Sequence, residues 1–208
     1  IDETPDLQVT AQQLNEEAFK RASVFNCCSG TMFHPTALET TRTAVEMAKK
    51  NGAIIAIDAN IRPLRWSSEK YCRETVASFF QDANILKLTD EELFFLTETN
   101  SIDAGFEALK PLNVPIVLIT VGAGGAYAAL NGDIMHVPVE QVVPVDTTGA
   151  GDAFMAGVLR YVHYNGLPTT KESLFDCVAF GNKLGALAAT KAGALTALPR
   201  YDEIKDLL

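Results

Sequence analysis

The segment Gly149-Ala150-Gly151-Asp152 combines residue types that hold a phosphate with one that can remove a proton beside it. It follows an apolar run at residues 142–145, read as a strand, and precedes an amphipathic stretch at residues 153–164, read as a helix. Small residues at such a junction leave backbone N–H groups facing outward at the positive end of the helix, where an anion is held. A carboxylate there repels the phosphate itself, yet it suits accepting the proton of a hydroxyl placed alongside. By spacing alone a second reading stands level with this one: Asp152 as an N-terminal helix acid after a tight glycine turn.

Three further segments carry candidate groups. Gly122-Ala123-Gly124-Gly125 lies between two strand patterns, whereas a dinucleotide fingerprint requires a helix after the glycines, so nicotinamide chemistry is disfavoured. The glycines suit either close approach to a nucleotide or an ordinary turn. Thr89-Asp90-Glu91-Glu92 fits a capping box, with Glu92 reaching back to Thr89. Asp58-Ala59-Asn60-Ile61-Arg62 closes a buried strand, the end at which open sheets place ligands. Arg62 there pairs with a phosphate, with a substrate carboxylate, or merely with a surface acid.

These segments need elements to hold them, and the hydropathy pattern supplies a regular alternation. Thr10 is expected to cap a helix over residues 11–19; strands follow at 23–28, 53–58, 85–88 and 115–121, separated by helices opening at Pro35, at Ser67 or Ser68, and at Thr89, with another helical stretch around 104–109. That order predicts an α/β fold, a three-layer αβα sandwich with a mainly parallel central sheet. Residues 126–130 and 134–139, joined by Asn131-Gly132, predict a local antiparallel extension. A long helix is expected over residues 171–191. No linker-like shift or repeat interrupts the chain, so residues 1–208 read as a single domain.

A net charge of -9 disfavours nucleic acid and anionic membrane surfaces as partners, because both require clustered Lys and Arg. The four cysteines form no C-x-x-C pair and read as free thiols of a reducing compartment, and the three histidines show no ligand spacing. No run is of membrane-spanning length and no signal peptide opens the chain, so a cytoplasmic or, after processing, an organellar location is expected rather than secretion.

Taken in order, these segments resemble the PfkB-type, ribokinase-like carbohydrate kinases, and within them the fructokinase branch. Asp146-Thr147-Thr148-Gly149-Ala150-Gly151-Asp152-Ala153-Phe154 is similar to the C-terminal signature of the family, Thr120-x-Gly122-x-x-Gly125 to its nucleotide-contacting turn, and Asp58-x-Asn60-x-Arg62 to a motif of the fructokinase and 2-keto-3-deoxygluconate kinase branches. The resemblance implies a general base at Asp152, an anion hole at Gly149, Ala150 and Gly151, and an ATP site lined by Thr120, Gly122, Gly125 and Asn182. It implies a Mg²⁺ ion organised through water by Glu92, and a K⁺ site made by Asp146, Thr148 and the carbonyls of Ala188, Lys191 and Gly193. Arg62, Asn60 and Gly30 are implied at the edge of the sugar pocket. Thr89 departs from the family's more common N-x-x-E, having a hydroxyl residue in the asparagine position. The resemblance further implies that the chain begins partway through the family fold, without its N-terminal part and lid, and that the complete protein has the option of a homodimer. The expected reaction is ATP-dependent phosphorylation of fructose to fructose 6-phosphate; a 2-keto-3-deoxygluconate kinase and a non-catalytic nucleotide-binding module are the alternatives.

Overall fold

The computed structural model of this chain describes residues 4–205. The chain forms two compact units, Ile1–Val117 and Leu118–Leu208.

In the first unit, three parallel strands lie side by side: β1 (Val24–Cys28), β2 (Ile54–Asp58) and β3 (Ile85–Thr89). Their register sets Cys28 beside Asp58 and Asp58 beside Lys87. The helix expected over residues 11–19 does not form as one piece. Thr10 caps a single 3-10 turn, Ala11–Gln13, and α1 (Glu16–Arg21) starts afresh at Asn15, whose Oδ1 accepts the amides of Glu17 and Ala18 at 3.0 and 3.3 Å. Such local side-chain bonds compete with helix continuation.

Helix α2 (Pro35–Lys50) joins β1 to β2, with Pro35 in its first turn, where no amide is needed, and Gly52 beyond its end at φ 78. Helix α3 (Glu69–Ala77) joins β2 to β3 and is capped by Ser68, whose Oγ accepts the Tyr71 amide at 3.1 Å. Next come α4 (Asp90–Thr97) and α5 (Ile102–Leu109), packed so closely that a Cβ on Gly105 would sit inside the Leu93 side chain. Ile55, Ile57, Ile85, Leu86 and Leu88 are buried, as parallel strands covered on both faces require.

β4 (Ile116–Thr120) crosses the division between the units, and after it β5 (Ala126–Leu130) and β6 (Asp133–Val137) form the expected antiparallel hairpin. Asn131 at φ 50 and Gly132 at φ 90 give the turn the left-handed pair that matches strand twist. Helices α6 (Ala150–Asn165) and α7 (Lys171–Ala189) follow, then the short α8 (Tyr201–Ile204). The strand expected at residues 142–145 is absent: the Val145 and Asp146 amides donate instead to Ala189 O at the end of α7, at 2.8 and 3.2 Å.

Glycines set the spacing of α6 and α7. A Cβ on Gly157 would lie 2.9 Å from Gly181 Cα, one on Gly181 3.0 Å from Phe154 O, and one on Gly185 3.0 Å from Ala150 O. The two backbones therefore touch along one seam, and α7 carries the start of α6 directly on its side.

Candidate active site

The seam leads to the beginning of α6. Gly149 occupies the N-cap with φ 81, a conformation that disfavours a side chain, and Ala194 Cα would stand 3.4 Å from any Cβ added there. Ala150 N donates to Thr147 O at 3.1 Å, while the amides of Gly149, Gly151 and Asp152 have no acceptor among the described residues. Those unpaired donors sit at the positive end of a 16-residue helix. Asp152 is exposed in its first turn, and its carboxylate has no hydrogen bond or ion pair among the described residues. Its place in the first turn also fits the helix-acid reading of Asp152.

Just before this turn, Asp146 is locked by backbone. Its Oδ1 accepts the Thr148 amide and its Oδ2 the Gly193 amide, each at 2.9 Å. The Thr148 hydroxyl, then the Thr148 and Gly193 amides, hold the Asp146 carboxyl below the usual carboxylate range. The Ala188 carbonyl accepts Lys191 N at 3.2 Å, whereas the carbonyls of Lys191 and Gly193 have no donor among the described residues. A carboxylate and carbonyl oxygens are donors of the kind that hard cations take.

On the far side of α7 a cleft of about 160 Å³ is lined by Pro138, Val139 and Val142 on one wall and by Ala179, Asn182, Lys183 and Ala186 on the other. Asn182 is buried, and its Nδ2 donates to Val137 O at 2.9 Å and to Pro138 O at 3.3 Å. It therefore builds the cleft as well as lining it. Gly125, at φ 87 and ψ -131, lies against the same segment: an added Cβ would come closer than 3.0 Å to Val137 O and to 3.0 Å from Val139 N. Gly122, at φ 55, opens the turn after Thr120. Motif reading missed residues 138–142, because their role depends on a wall that only folding assembles.

The first unit holds the other expected residues. Gly30 sits in a 3-10 turn after β1, with only Cys28 Sγ near its Cβ position, at 3.6 Å. Asn60 turns the chain after β2 at φ 40, and Arg62 is exposed, its Nη1 donating to Ile61 O at 2.9 Å. The expected capping box is present: Glu92 Oε2 accepts Thr89 N at 2.9 Å and Thr89 Oγ1 accepts Glu92 N at 3.1 Å. Glu92 Oε1 also accepts the Ile61 amide at 2.7 Å. Asp58, at the head of the same motif, is buried against Lys87 Nζ at 3.0 Å, a pairing the sequence conceals.

Among the described residues, no group of three or more His, Cys, Asp or Glu could hold a metal ion. No described helix is long and apolar enough to cross a membrane.

The description "pfkB family carbohydrate kinase" matches residues 2–200. A fructokinase of Klebsiella pneumoniae is 34% identical over 202 residues, covering 97% of this chain and 66% of that protein. Among solved structures, fructokinase from Vibrio cholerae O395, bound to fructose, ADP and calcium ion, is 32% identical with a TM-score of 0.86, over 100% of this chain and 70% of its own. Aminoimidazole riboside kinase from Salmonella enterica, complexed with aminoimidazole riboside and an ATP analogue, is 28% identical with a TM-score of 0.88, over 96% and 66%. The chain thus spans about two thirds of the length of these relatives, and the likeness confirms the ribokinase-like α/β fold. The chain belongs to the pfkB family of carbohydrate kinases.

Proposed function

We propose that the protein containing this chain transfers the γ-phosphoryl group of ATP to a primary hydroxyl of a sugar, with fructose as the acceptor and fructose 6-phosphate as the product. The observation that carries this reading is the exposed Asp152 carboxylate beside the unpaired amides of Gly149, Gly151 and Asp152. Asp152 takes the hydroxyl proton, and the amides hold the charge that builds on the phosphoryl oxygens. Gly122 and Gly125 shape the turn beside the nucleotide, with Thr120 at its start, while Asn182 and residues 138–142 enclose the base. The family resemblance assigns Arg62, Asn60 and Gly30 to the acceptor. Mg²⁺, when bound to the phosphates, adds positive charge that offsets theirs. Asp146, Thr148 and the carbonyls of Lys191 and Gly193, joined by Ala188, would hold K⁺ under the anion hole and fix its amides in place.

Fructose is favoured by the likeness to fructokinases. The exposed guanidinium of Arg62 also suits a sugar acid such as 2-keto-3-deoxygluconate, which an acceptor screen including ribosides separates. The direct test is Asp152→Asn in the complete protein, with ADP release as readout. Turnover should fall at least about a hundredfold, the usual contribution of a positioned base. Near-normal turnover would remove Asp152 from the reaction, and ATP binding without transfer to any acceptor would leave a non-catalytic nucleotide-binding module.

A further inference from the structure

We propose that Glu92 is a positioning residue that fixes the loop bearing Asn60 and Arg62, beside the metal-attending role that the family resemblance implies. The kinetic part of its test rests on the kinase reading above; the geometry does not.

The loop leaves β2 at Asp58 and turns at Asn60, whose φ of 40 is left-handed, a conformation asparagine tolerates better than most residues. Before the turn its backbone is tied twice. Ala59 N donates to Lys87 O at 2.9 Å, and Ala59 O accepts the buried Ser29 hydroxyl. Beyond the turn the tie is Glu92, whose Oε1 accepts Ile61 N at 2.7 Å. The same carboxylate holds Thr89 N with its other oxygen at 2.9 Å. A capping box requires only the bond to Thr89. The bond to Ile61 spans 31 positions of sequence and does nothing for the helix start.

The consequence falls on Arg62. Ile61 is buried with 6% exposure, so the tie anchors the residue immediately before the exposed guanidinium. Bonds from an ionised carboxylate to amides are about twice as strong as neutral ones, and here they are partly shielded from water. Without them the backbone beyond Asn60 loses its bond to α4, leaving the buried Ile61 side chain to hold it. Both oxygens of Glu92 are aimed at amides, one on its own helix start and one on the loop.

The test uses the complete protein with Glu92→Gln, Glu92→Asp and Arg62→Ala, with fructose as acceptor. Gln presents a donor to one of the two amides, and Asp keeps the charge but is too short to bridge both. Each Glu92 variant should speed hydrogen exchange at the Ile61 amide and raise the acceptor KM by at least about tenfold, the size of one lost charge-assisted hydrogen bond. Because the effect acts through Arg62, the double variant Arg62→Ala/Glu92→Gln should match Arg62→Ala within about twofold in acceptor KM. Unchanged exchange at Ile61 would overturn the proposal. So would multiplicative effects in the double variant, or an unaltered acceptor KM. If the wild-type protein phosphorylates no acceptor, the kinase reading falls, and exchange at Ile61 still decides whether Glu92 secures the loop.

Discussion

Replacing Gly125 with Ala should damage both the stability of the protein and its hold on ATP, by an amount that the geometry allows to be divided into two parts. The first is conformational. At φ 87 and ψ -131 the residue lies in territory that a side chain penalises, at a cost of about 1–3 kcal/mol. The second is steric. The new Cβ would lie closer than 3.0 Å to Val137 O and 3.0 Å from Pro138 C and Val139 N, all of them backbone atoms that cannot rotate away. Forcing a methyl into such a contact costs about another 1–3 kcal/mol. Gly132 provides the control, since it has φ 90 but nothing within 4 Å of its Cβ position. Gly132→Ala should therefore lose only the left-handed penalty of about 1–2 kcal/mol. Urea unfolding of the complete protein followed by circular dichroism gives both values, provided the slope m is unchanged. The segment pushed by Gly125→Ala walls the cleft with Asn182, so its ATP KM should rise while that of Gly132→Ala does not. Equal losses in the two variants, or a loss below about 0.5 kcal/mol for Gly125→Ala, would refute the steric argument.

Other outcomes follow from the same contacts. The Asp146 carboxyl is held below its ordinary value of 3.8, so it contributes stability above that value and loses it as pH falls through the lower folded value. Asp146→Asn should thus flatten the acid limb of a Tm–pH curve below about pH 4, and an unchanged limb would count against the Thr148 and Gly193 bonds. Lys87→Met removes the ammonium from the buried Asp58 carboxylate and should cost about 3–5 kcal/mol in urea unfolding, a loss that a surface pair would not produce. Burial pushes the Cys177 thiol up to about 12, so iodoacetamide at about pH 8 should leave it unmodified until urea is added. Rapid labelling of Cys177 in the folded protein would contradict the closed seam between α6 and α7.

What could be read from the sequence divides by range. The Thr89–Glu92 box, the Asn131-Gly132 turn and the glycine start of α6 are local, and each appears where its residues place it. The run at residues 142–145 has strand composition and is not a strand, because its amides find Ala189 O, and hydropathy holds no record of that partner. Asp58 presents the same difficulty. The resemblance implies that Asp58-x-Asn60-x-Arg62 serves the acceptor, yet strand register places Lys87 beside Asp58 and buries both. The family resemblance implies Asn182 at a nucleotide, whereas its two bonds to residues 137 and 138 required the hairpin to be in place.

The glycine seam along α7 also makes that helix a gauge. Asn182 holds the cleft wall, and Ala189, from 182 to 189 about 10 Å farther along at 1.5 Å per residue, receives the amides that lead into the glycine turn. Both ends of the proposed nucleotide site are thus measured off one rigid rod. A single residue inserted between them would rotate one end by about 100° relative to the other. The length of this stretch is therefore expected to tolerate substitution far better than insertion or deletion.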